Sequence, residues 1–314
     1  MTSRLSVHCL TCGYGGEAVV TNVSFDLAAG EALVLLGHNG VGKSTLLKTI
    51  AAELTPVSGT VALAGESYPQ AGRVHEIGFA PQSIALLPRL TVEQNLRTFG
   101  AVLNLTGDAL RAQIEHTLKT VALLERRGQR VETLSGGLQR RVNIAASLMG
   151  MPKVLLLDEP QVGVDQEGRE TLVETLRALQ AYGTTLILVT HDLDFARSLA
   201  TRVGVLAAGG MAVEGAPSEI IERTFADKQL VSIRFEDSPD SGASETSSAE
   251  AAQSVLAQFK RAPDGAYEAV TQLPSGALDA LLEELASHGL VVAEVRVVKP
   301  GLAQLLDLHA EQRT

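Results

Sequence analysis

The sequence predicts an α/β fold in which buried strands alternate with helices, followed by a smaller α/β unit at the carboxyl end. The apolar run ALVLL leads through a glycine-rich loop into the helical segment KSTLLKTIAAEL. Two further runs, in KVLLLDEP and TTLILVTHD, have the continuous hydrophobicity of parallel strands that are covered on both faces. An acidic, serine-rich stretch then separates these elements from a last group of strands and helices.

Length and charge narrow the class of protein. The chain has 314 residues, 45% of them hydrophobic, which is enough for one large domain and a small one. A formal net charge of −10 makes nucleic acid an unlikely partner. The longest apolar runs are far shorter than the roughly 20 residues that span a bilayer, and the first residues lack the apolar core of a signal peptide. We therefore expect a cytoplasmic protein that does not cross a membrane by itself.

The two cysteines form a C-x-x-C pair, Cys9 and Cys12, which raises the question of a metal or redox site. The alternation of Leu5, Val7 and Cys9 is typical of a strand, and residues three apart on a strand point to opposite faces. With no second pair in the chain, we interpret both cysteines as structural and expect a reducing compartment.

The order of elements predicts the domains. Residues 1–228 form the larger domain, and within it residues of about 88–134 have helical spacing and no good strand, which indicates a helical insertion. RVGVLAAGGMAVEGAP predicts a hairpin around Gly209.

The carboxyl end differs in composition. Residues 236–250, EDSPDSGASETSSAE, contain too little apolar surface to order themselves and predict a linker or mobile loop. Strand-like VSIRF, YEAVT and LVVAEVRVV alternate with helix-like LDALLEELASHG and GLAQLLDLHAEQ, so residues 229–314 predict a small α/β accessory domain.

Residues 37–45, GHNGVGKST, match the phosphate-loop pattern G-x-x-x-x-G-K-[ST] between a strand and a helix. Glycines let backbone N–H groups close around phosphate oxygens, and the helix N-terminus adds positive potential. Lys43 is expected to reach the β- and γ-phosphates and Ser44 to hold Mg²⁺. The predicted nucleotide contacts of this loop are Gly37, Asn39, Gly40, Gly42, Lys43, Ser44 and Thr45.

Two more strands end in polar side chains. VLLLDEP places Asp158 and Glu159 just past a buried strand, at the edge where such sheets bind ligands. Asp158 is expected to orient Mg²⁺, and Glu159 to accept a proton from the attacking water. His191, after TLILVT, is expected to contact the γ-phosphate or to orient Glu159 and the water.

The order of the phosphate loop, Gln82 in FAPQ, LSGGLQRR, LLLDEP and THD closely resembles the ATP-binding subunit of ABC transporters, over residues 4 to about 225. The resemblance implies a P-loop NTPase cassette, with a mixed sheet, an antiparallel β subdomain and the helical insertion. It also implies ATP and Mg²⁺ as ligands, and hydrolysis that drives transport through an integral membrane permease at the inner face of the cell membrane.

The resemblance also implies roles for residues outside the phosphate loop. In the family, two cassettes pack head to tail, and each signature loop closes over the ATP of its partner. Ser135, Gly136 and Gly137 would contact that ATP in a homodimer or with a second cassette. Ser135 also suits a helix N-cap, and the two roles are compatible.

Three further residues gain roles in the same way. Tyr14 resembles the aromatic that stacks on adenine, although a tyrosine between glycines also suits a turn. Gln82 resembles the residue that senses Mg²⁺ and the membrane subunit. Asp165 matches the aspartate of the loop that follows the catalytic glutamate.

The chain departs from the family pattern in two places. Leu138 replaces the usual glutamine of the signature, and the loop after Glu159 reads PQVGVD where PTSGLD is usual. Gln161 and Val162 therefore stand where the family has hydroxyls, in a loop that bears on communication between the two sites.

The family includes exporters, importers and ATPases that act on ribosomes or DNA. LPRLTVEQNL and the basic tail QRR are similar to ATPases that export drugs, lipids or polysaccharide, so we expect an exporter. An importer ATPase is the alternative within transport, and a soluble ATPase acting on ribosomes or DNA is the alternative outside it. Three leucines of the insertion are either contacts for the permease or core, namely Leu86, Leu87 and Leu90.

Overall fold

The largest sheet has six strands in the order β10-β9-β3-β8-β7-β6, all parallel except β10 at one edge. Its strands are β3 (Ala32–Leu36), β6 (Ile77–Ala80), β7 (Val154–Asp158), β8 (Thr185–Val189), β9 (Arg202–Ala207) and β10 (Gly210–Gly215). The apolar runs in β3, β7 and β8 are buried along their whole length, as expected for parallel strands covered on both faces.

A second, antiparallel sheet has the order β2-β1-β4-β5, from β1 (Leu5–Tyr14), β2 (Glu17–Leu27), β4 (Ser58–Leu63) and β5 (Glu66–Tyr68). Helix α1 (Lys43–Ile50) joins it to the large sheet, because its buried Leu46, Leu47 and Ile50 belong to a core with strands of both sheets. In β1, Cys9 is exposed and Cys12 is buried, and neither forms a disulfide.

Helices surround these sheets. The region of the expected insertion contains α2 (Val92–Val102) and α3 (Gly107–Thr120), and α4 (Gly136–Leu148) follows it. Thr91 begins α2 with a capping box, in which its hydroxyl accepts from Gln94 N and its backbone N–H donates to Gln94. Helix α5 (Gln166–Ala181) follows β7, and α6 (Leu193–Leu199) follows β8. Each of these helices begins at an aspartate cap.

A smaller group of elements completes the chain, from α7 (Pro217–Phe225), β11 (Gln229–Phe235), β12 (Lys260–Arg261), β13 (Tyr267–Thr271), α8 (Ala277–Ser287), β14 (Val292–Val298) and α9 (Leu302–Glu311). Its antiparallel sheet has the order β12-β13-β11-β14. Val231, Ile233 and Leu285 are fully buried in its core, and the Phe235 and Tyr267 rings meet edge to face with centroids 5.5 Å apart.

This computed structural model describes residues 3–69, 73–236, 255–262, 264–274, 276–288 and 290–311. The chain divides into Met1–Pro217 with His309–Thr314, and Ser218–Leu308. The break after Pro217 comes before residue 228, where the sequence predicts the end of the larger domain. The domain boundaries derived from the sequence stay predictions. The expected linker at 236–250 lies outside the described residues after its first position. Within the described ranges, no helix is both long and apolar enough to span a bilayer.

Candidate functional site

Polar residues follow four neighbouring strands of the large sheet, β3, β8, β7 and β6, at the same edge. Because these strands are parallel, their carboxyl ends lie together. The phosphate loop follows β3, His191 follows β8, and Gln82 follows β6. Asp158 is the last residue of β7, and Glu159 comes directly after it. Sheet topology therefore brings together side chains that are far apart in sequence.

The phosphate loop has a shape that depends on two glycines. Gly37 has φ 148° and Gly42 has φ 101°, both in the region that favours glycine. A Cβ on Gly42 would lie 2.2 Å from the Val20 side chain, and one on Gly37 would lie 2.5 Å from the Leu206 carbonyl oxygen. The loop can therefore turn tightly into α1, where the first backbone N–H groups of the helix are available to an anion.

Lys43, the first residue of α1, is buried beneath this loop. Its Nζ donates to the carbonyl oxygen of Gly37 at 2.7 Å and to that of His38 at 2.9 Å. Burial lowers the pKa of Lys43, and the carboxylates of Glu159 and Asp158 oppose this effect. The ammonium group thus braces the loop from inside and supplies positive charge to the pocket.

Asp158 and Ser44 provide oxygen atoms to the same cavity as Lys43. Burial raises the pKa of Asp158, while a hydrogen bond from Ser44 works in the other direction. Asp158 Oδ1 is buried and has no hydrogen-bond partner among the described residues. A buried carboxylate oxygen next to a hydroxyl and an amide, that of Gln82, is a donor set that suits Mg²⁺.

Glu159 is held in an unusual backbone conformation. Its φ is 50°, in the left-handed region, and its backbone N–H donates to Val189 O at 2.9 Å. Its buried carboxylate receives two contacts at Oε2, one from His191 Nδ1 at 3.0 Å and one from Gln161 Nε2 at 2.7 Å. Such strain is found where the surrounding structure holds a residue in place, often at a functional site.

These residues form a single cavity of about 310 Å³. Tyr14 lies at its edge with 51% of its surface exposed, as expected for a ring that is available to stack on a base. The predicted residues that line this cavity are Tyr14, Asn39, Gly40, Gly42, Lys43, Ser44, Thr45, Gln82, Asp158 and Glu159. Gly37 and His191 adjoin it through Lys43 and Glu159.

The signature loop does not line this cavity. Ser135 and Gly136 are exposed, and Ser135 Oγ accepts a hydrogen bond from Leu138 N at 3.4 Å, so the expected N-cap of α4 is present. A Cβ on Gly136 or Gly137 would lie 3.3 Å from backbone atoms of Gly163 or Val164. The loop therefore packs against the segment that follows Glu159.

Asp165, at the end of that segment, is also outside the cavity. Its Oδ1 accepts from Gly168 N at 3.0 Å and caps α5. One chain thus brings the phosphate loop and the acidic residues together, but leaves the signature residues and Asp165 elsewhere.

Sequence reasoning missed Arg140, which lies one turn into α4. Its Nη1 donates to Pro81 O at 2.8 Å and its Nη2 to Gln82 O at 2.6 Å. Asn143 donates to Pro81 O at 3.2 Å and accepts from Ala85 N at 3.1 Å. The i, i+3 spacing of Arg140 and Asn143 predicts a shared helix face, but nothing local shows that this face holds the loop that carries Gln82.

Asp192 fixes the start of α6, immediately after His191. Its carboxylate accepts from Asp194 N at 3.1 Å and Phe195 N at 2.9 Å, and it pairs with Arg169 at 2.5 Å. Burial by itself would raise the pKa of Asp192, but these hydrogen bonds and the Arg169 charge outweigh it, and the pKa is lowered. His191 is therefore attached to a helix whose first turn is held in place.

A second cavity, of about 540 Å³, lies between β6, α2 and α4. Phe79, Phe99 and Val102 are among its lining residues, and 77% of the Val102 surface is exposed. Of the three leucines singled out in the insertion, Leu87 is exposed while Leu86 and Leu90 are half-buried, and none of them lines this groove. Ala85 is the member of that segment that does.

Sequence comparison finds a matching family profile and similar proteins. The sequence profile described as ABC transporter matches residues 20–162. The chain is 36% identical over 216 residues to the linearmycin resistance ATP-binding protein LnrL of Bacillus subtilis. The aligned residues make up 68% of this chain and 70% of the relative. The chain is 39% identical over 210 residues to the Nod factor export ATP-binding protein I of Paraburkholderia xenovorans, covering 66% and 69%.

A solved structure gives the same result at the level of the fold. The dimeric post-hydrolysis state of the ATP-binding cassette MJ0796, bound to ADP and phosphate, superimposes with a TM-score of 0.60 at 27% identity. The match covers 68% of this chain and 98% of the cassette. The predicted P-loop cassette fold, with its mixed sheet, antiparallel subdomain and helices, is confirmed.

Proposed function

The chain belongs to the ABC transporter family as an ATP-binding subunit that hydrolyses ATP, and from this premise we propose that it powers a permease that exports drugs, lipids or polysaccharide. The similarity to proteins named for linearmycin resistance and Nod factor export supports an exporter. The observation that carries the proposal is the cavity in which the phosphate loop, Asp158 and Glu159 meet.

In this proposal ATP binds with its phosphates against the phosphate loop. Backbone N–H groups at the start of α1 and the Lys43 ammonium bind the β- and γ-phosphates, and Tyr14 stacks on adenine. Ser44, Asp158 and Gln82 hold Mg²⁺, and the unpaired Asp158 Oδ1 supports this assignment. When bound, Mg²⁺ neutralises phosphate charge that protein groups alone leave uncompensated.

Glu159 is the general base for the attacking water. A proton passes from the water to the carboxylate, the water oxygen bonds to the γ-phosphorus, and the bond to the bridging oxygen breaks to release ADP and phosphate. His191, 3.0 Å from Glu159 Oε2, orients the carboxylate and contacts the γ-phosphate. Both residues project from the strand ends that face the phosphate loop, which supports these roles.

The signature loop acts on a second ATP. ABC cassettes form dimers, as the MJ0796 structure illustrates. In this chain Ser135 and Gly136 are exposed and lie outside the chain's own cavity, which supports contact with the nucleotide of a partner. We infer a homodimer or a pair with a related cassette, in which Asp165 and its neighbours lie near the interface.

The permease contacts the groove between β6, α2 and α4. An exposed Val102 and a half-buried Phe99 beside Phe79 offer an apolar surface to a short helix of a membrane partner. The groove is adjacent to the loop that carries Gln82, since Pro81 and Ala85 of that loop line it together with Asn143. In this proposal, movement of that loop with nucleotide is transmitted to a protein in the groove, and the subunit works at the cytoplasmic face of the membrane.

An affinity purification tests this function. Tagged Glu159→Gln protein with MgATP is captured from detergent-solubilised membranes of the source organism, and co-purifying proteins are identified. We expect a polytopic membrane permease of exporter architecture, retained by a Val291→Glu control and lost with Val102→Glu. An importer permease would correct the direction of transport, and ribosomal proteins or DNA without a membrane partner would overturn the transport proposal.

A further inference from the structure

Gln161 is a buried residue that contacts the Glu159 carboxylate. The proposed function gives Gln161 no role. It lies two residues after Glu159, with only 7% of its surface exposed. Its side-chain Nε2 donates to Glu159 Oε2 at 2.7 Å. Hydrogen bonds to a carboxylate are among the stronger ones in proteins. The contact therefore ties a fixed amide to the group that is proposed to take the proton of water.

Hydrogen bonding favours this orientation of the amide. With the amide turned over, the carbonyl oxygen would face a carboxylate oxygen at 2.7 Å, and the two acceptors would repel each other. As oriented, Gln161 Oε1 is buried and has no hydrogen-bond partner among the described residues. The amide thus forms one hydrogen bond, from Nε2 to Glu159, and has none at Oε1 within the described part of the chain. A buried oxygen without a hydrogen bond lowers the stability of the fold.

The two contacts on Glu159 Oε2 differ in freedom of movement. The His191 side chain is 69% exposed, whereas Gln161 is enclosed. An enclosed side chain has few rotamers left, so its donor stays in place when the exposed imidazole turns toward solvent or substrate. Gln161 is therefore the contact that can restrain the carboxylate throughout the cycle.

We propose that Gln161 is a positioning residue that holds Oε2 of Glu159, so that the other oxygen, Oε1, is directed to the attacking water. This inference rests on the proposed role of Glu159 as the base. The amide does not itself take part in proton transfer, and its effect on hydrolysis passes through the orientation of Glu159. The departure at this position from the usual loop is thus given a function in this chain.

The first test replaces Gln161 with methionine, which has nearly the same volume and no N–H donor. In the full-length protein, kcat for MgATP is expected to fall about tenfold or more, while KM changes less than about twofold, because only orientation in the transition state is lost. Thermal unfolding is measured in parallel. The melting temperature should stay the same or rise, since the buried Oε1 without a partner is removed.

A matched control removes the same kind of bond elsewhere. Gln113 Nε2 donates to Thr117 Oγ1 at 3.2 Å on α3. Gln113→Met therefore deletes a glutamine side-chain hydrogen bond without reaching the cavity, and kcat should not change. A drop in kcat equal to that of Gln161→Met would overturn the assignment to Gln161.

A double-mutant cycle tests whether the effect passes through Glu159. In single-turnover assays, Gln161→Met should have no further effect once Glu159→Gln is present, because the oriented group has gone. Additive losses, an unchanged kcat for Gln161→Met, or a large rise in KM with a lower melting temperature would each overturn the proposal. Full turnover by Glu159→Gln alone would instead remove Glu159 from the base role, a separate failure of the proposed function.

Discussion

The phosphate loop and the signature loop both present backbone N–H groups at the start of a helix, but their surroundings differ. Around the first, Lys43, Asp158 and Glu159 are buried and converge on one cavity. Around the second, Ser135 and Gly136 are exposed, and their nearest neighbours are backbone atoms of the segment after Glu159. One half-site is built entirely within the chain, whereas the other has its groups available for a second chain.

The two half-sites differ in what they provide before a partner chain binds. The buried half-site has the groups for phosphate and metal in place, at the cost of burying charges that must compensate one another. The exposed half-site avoids that cost until a partner covers it. Changes to the phosphate-binding groups of the first are therefore expected to lower ATP affinity, and changes in the second to lower turnover while binding is retained.

Lys43→Met should have the largest effect. It removes the ammonium that braces Gly37 and His38 and the positive charge that faces Asp158 and Glu159, while its apolar stem remains. ATP affinity is expected to fall about 100-fold and hydrolysis to become undetectable. Equilibrium ATP binding measures this, with Lys119→Met as an exposed control on α3. Affinity within about threefold of the native value would place the main phosphate contacts elsewhere.

Gly136→Asp tests the exposed half-site. An acid in the first turn of α4 favours the helix, so folding should be kept, but its charge repels a phosphate of the partner's ATP. Turnover should fall about 100-fold with ATP binding nearly unchanged.

Mixed dimers then decide whether the signature loop acts across the interface. A dimer of one Lys43→Met chain and one Gly136→Asp chain contains one composite site with both loops intact. Its activity should exceed that of either mutant homodimer. Activity that stays at the homodimer level would mean that each loop serves its own chain.

Arg140→Met should have an intermediate effect, because Arg140 connects the two regions. It lies on the helix that begins at the signature loop, and its guanidinium holds the carbonyl oxygens of Pro81 and Gln82 beside the cavity. Removing it takes the donor from Gln82 O and leaves Pro81 O with Asn143 as its donor, so the free energy of unfolding should fall by about 2 kcal/mol and kcat by about fivefold. Denaturant unfolding and ATPase assays measure both, and an unchanged kcat would show that the Gln82 loop is held by other contacts.

Asp192→Asn should have the smallest effect, and it depends on pH. The native pKa of Asp192 is lowered, so its ionised form stabilises the fold above the unfolded-state pKa, and this contribution is lost as pH falls through the native value. Asparagine keeps the cap but loses the pair with Arg169. The variant should be less stable by about 1 kcal/mol at pH 7, and the difference should disappear on acidification. A difference that persists once the Asp192 carboxylate is protonated in acid would mean that the charge is not its source.

Much of the fold and of the cavity follows from the sequence pattern. The motif order predicted a P-loop cassette, and the apolar runs at β3, β7 and β8 became adjacent parallel strands. Since each ends in polar residues, the convergence of Asp158, Glu159 and His191 on the phosphate loop could be predicted without coordinates. The roles assigned to these residues stay predictions until the variants are measured.

The contacts of Gln161 and Arg140 could not be predicted in the same way. Gln161 was recognised only as a departure from the usual loop, and its bond to Glu159 depends on a left-handed backbone at Glu159 that no local residue pattern indicates. Arg140 belonged to a basic tail whose partners, the carbonyl oxygens of residues 81 and 82, are distant in sequence.

The phosphate loop could be identified from the sequence, because a strand, a glycine turn and a helix N-terminus recognise phosphate through neighbouring backbone groups. The strand ends that carry acids could also be identified, since an apolar run followed directly by acidic residues is visible in the sequence. Only the tertiary structure decided which of those groups touch. Hydrogen bonds between α4 and the Gln82 loop, or between Gln161 and Glu159, depend on angstrom-scale packing and on single rotamers, and these arise from the whole core.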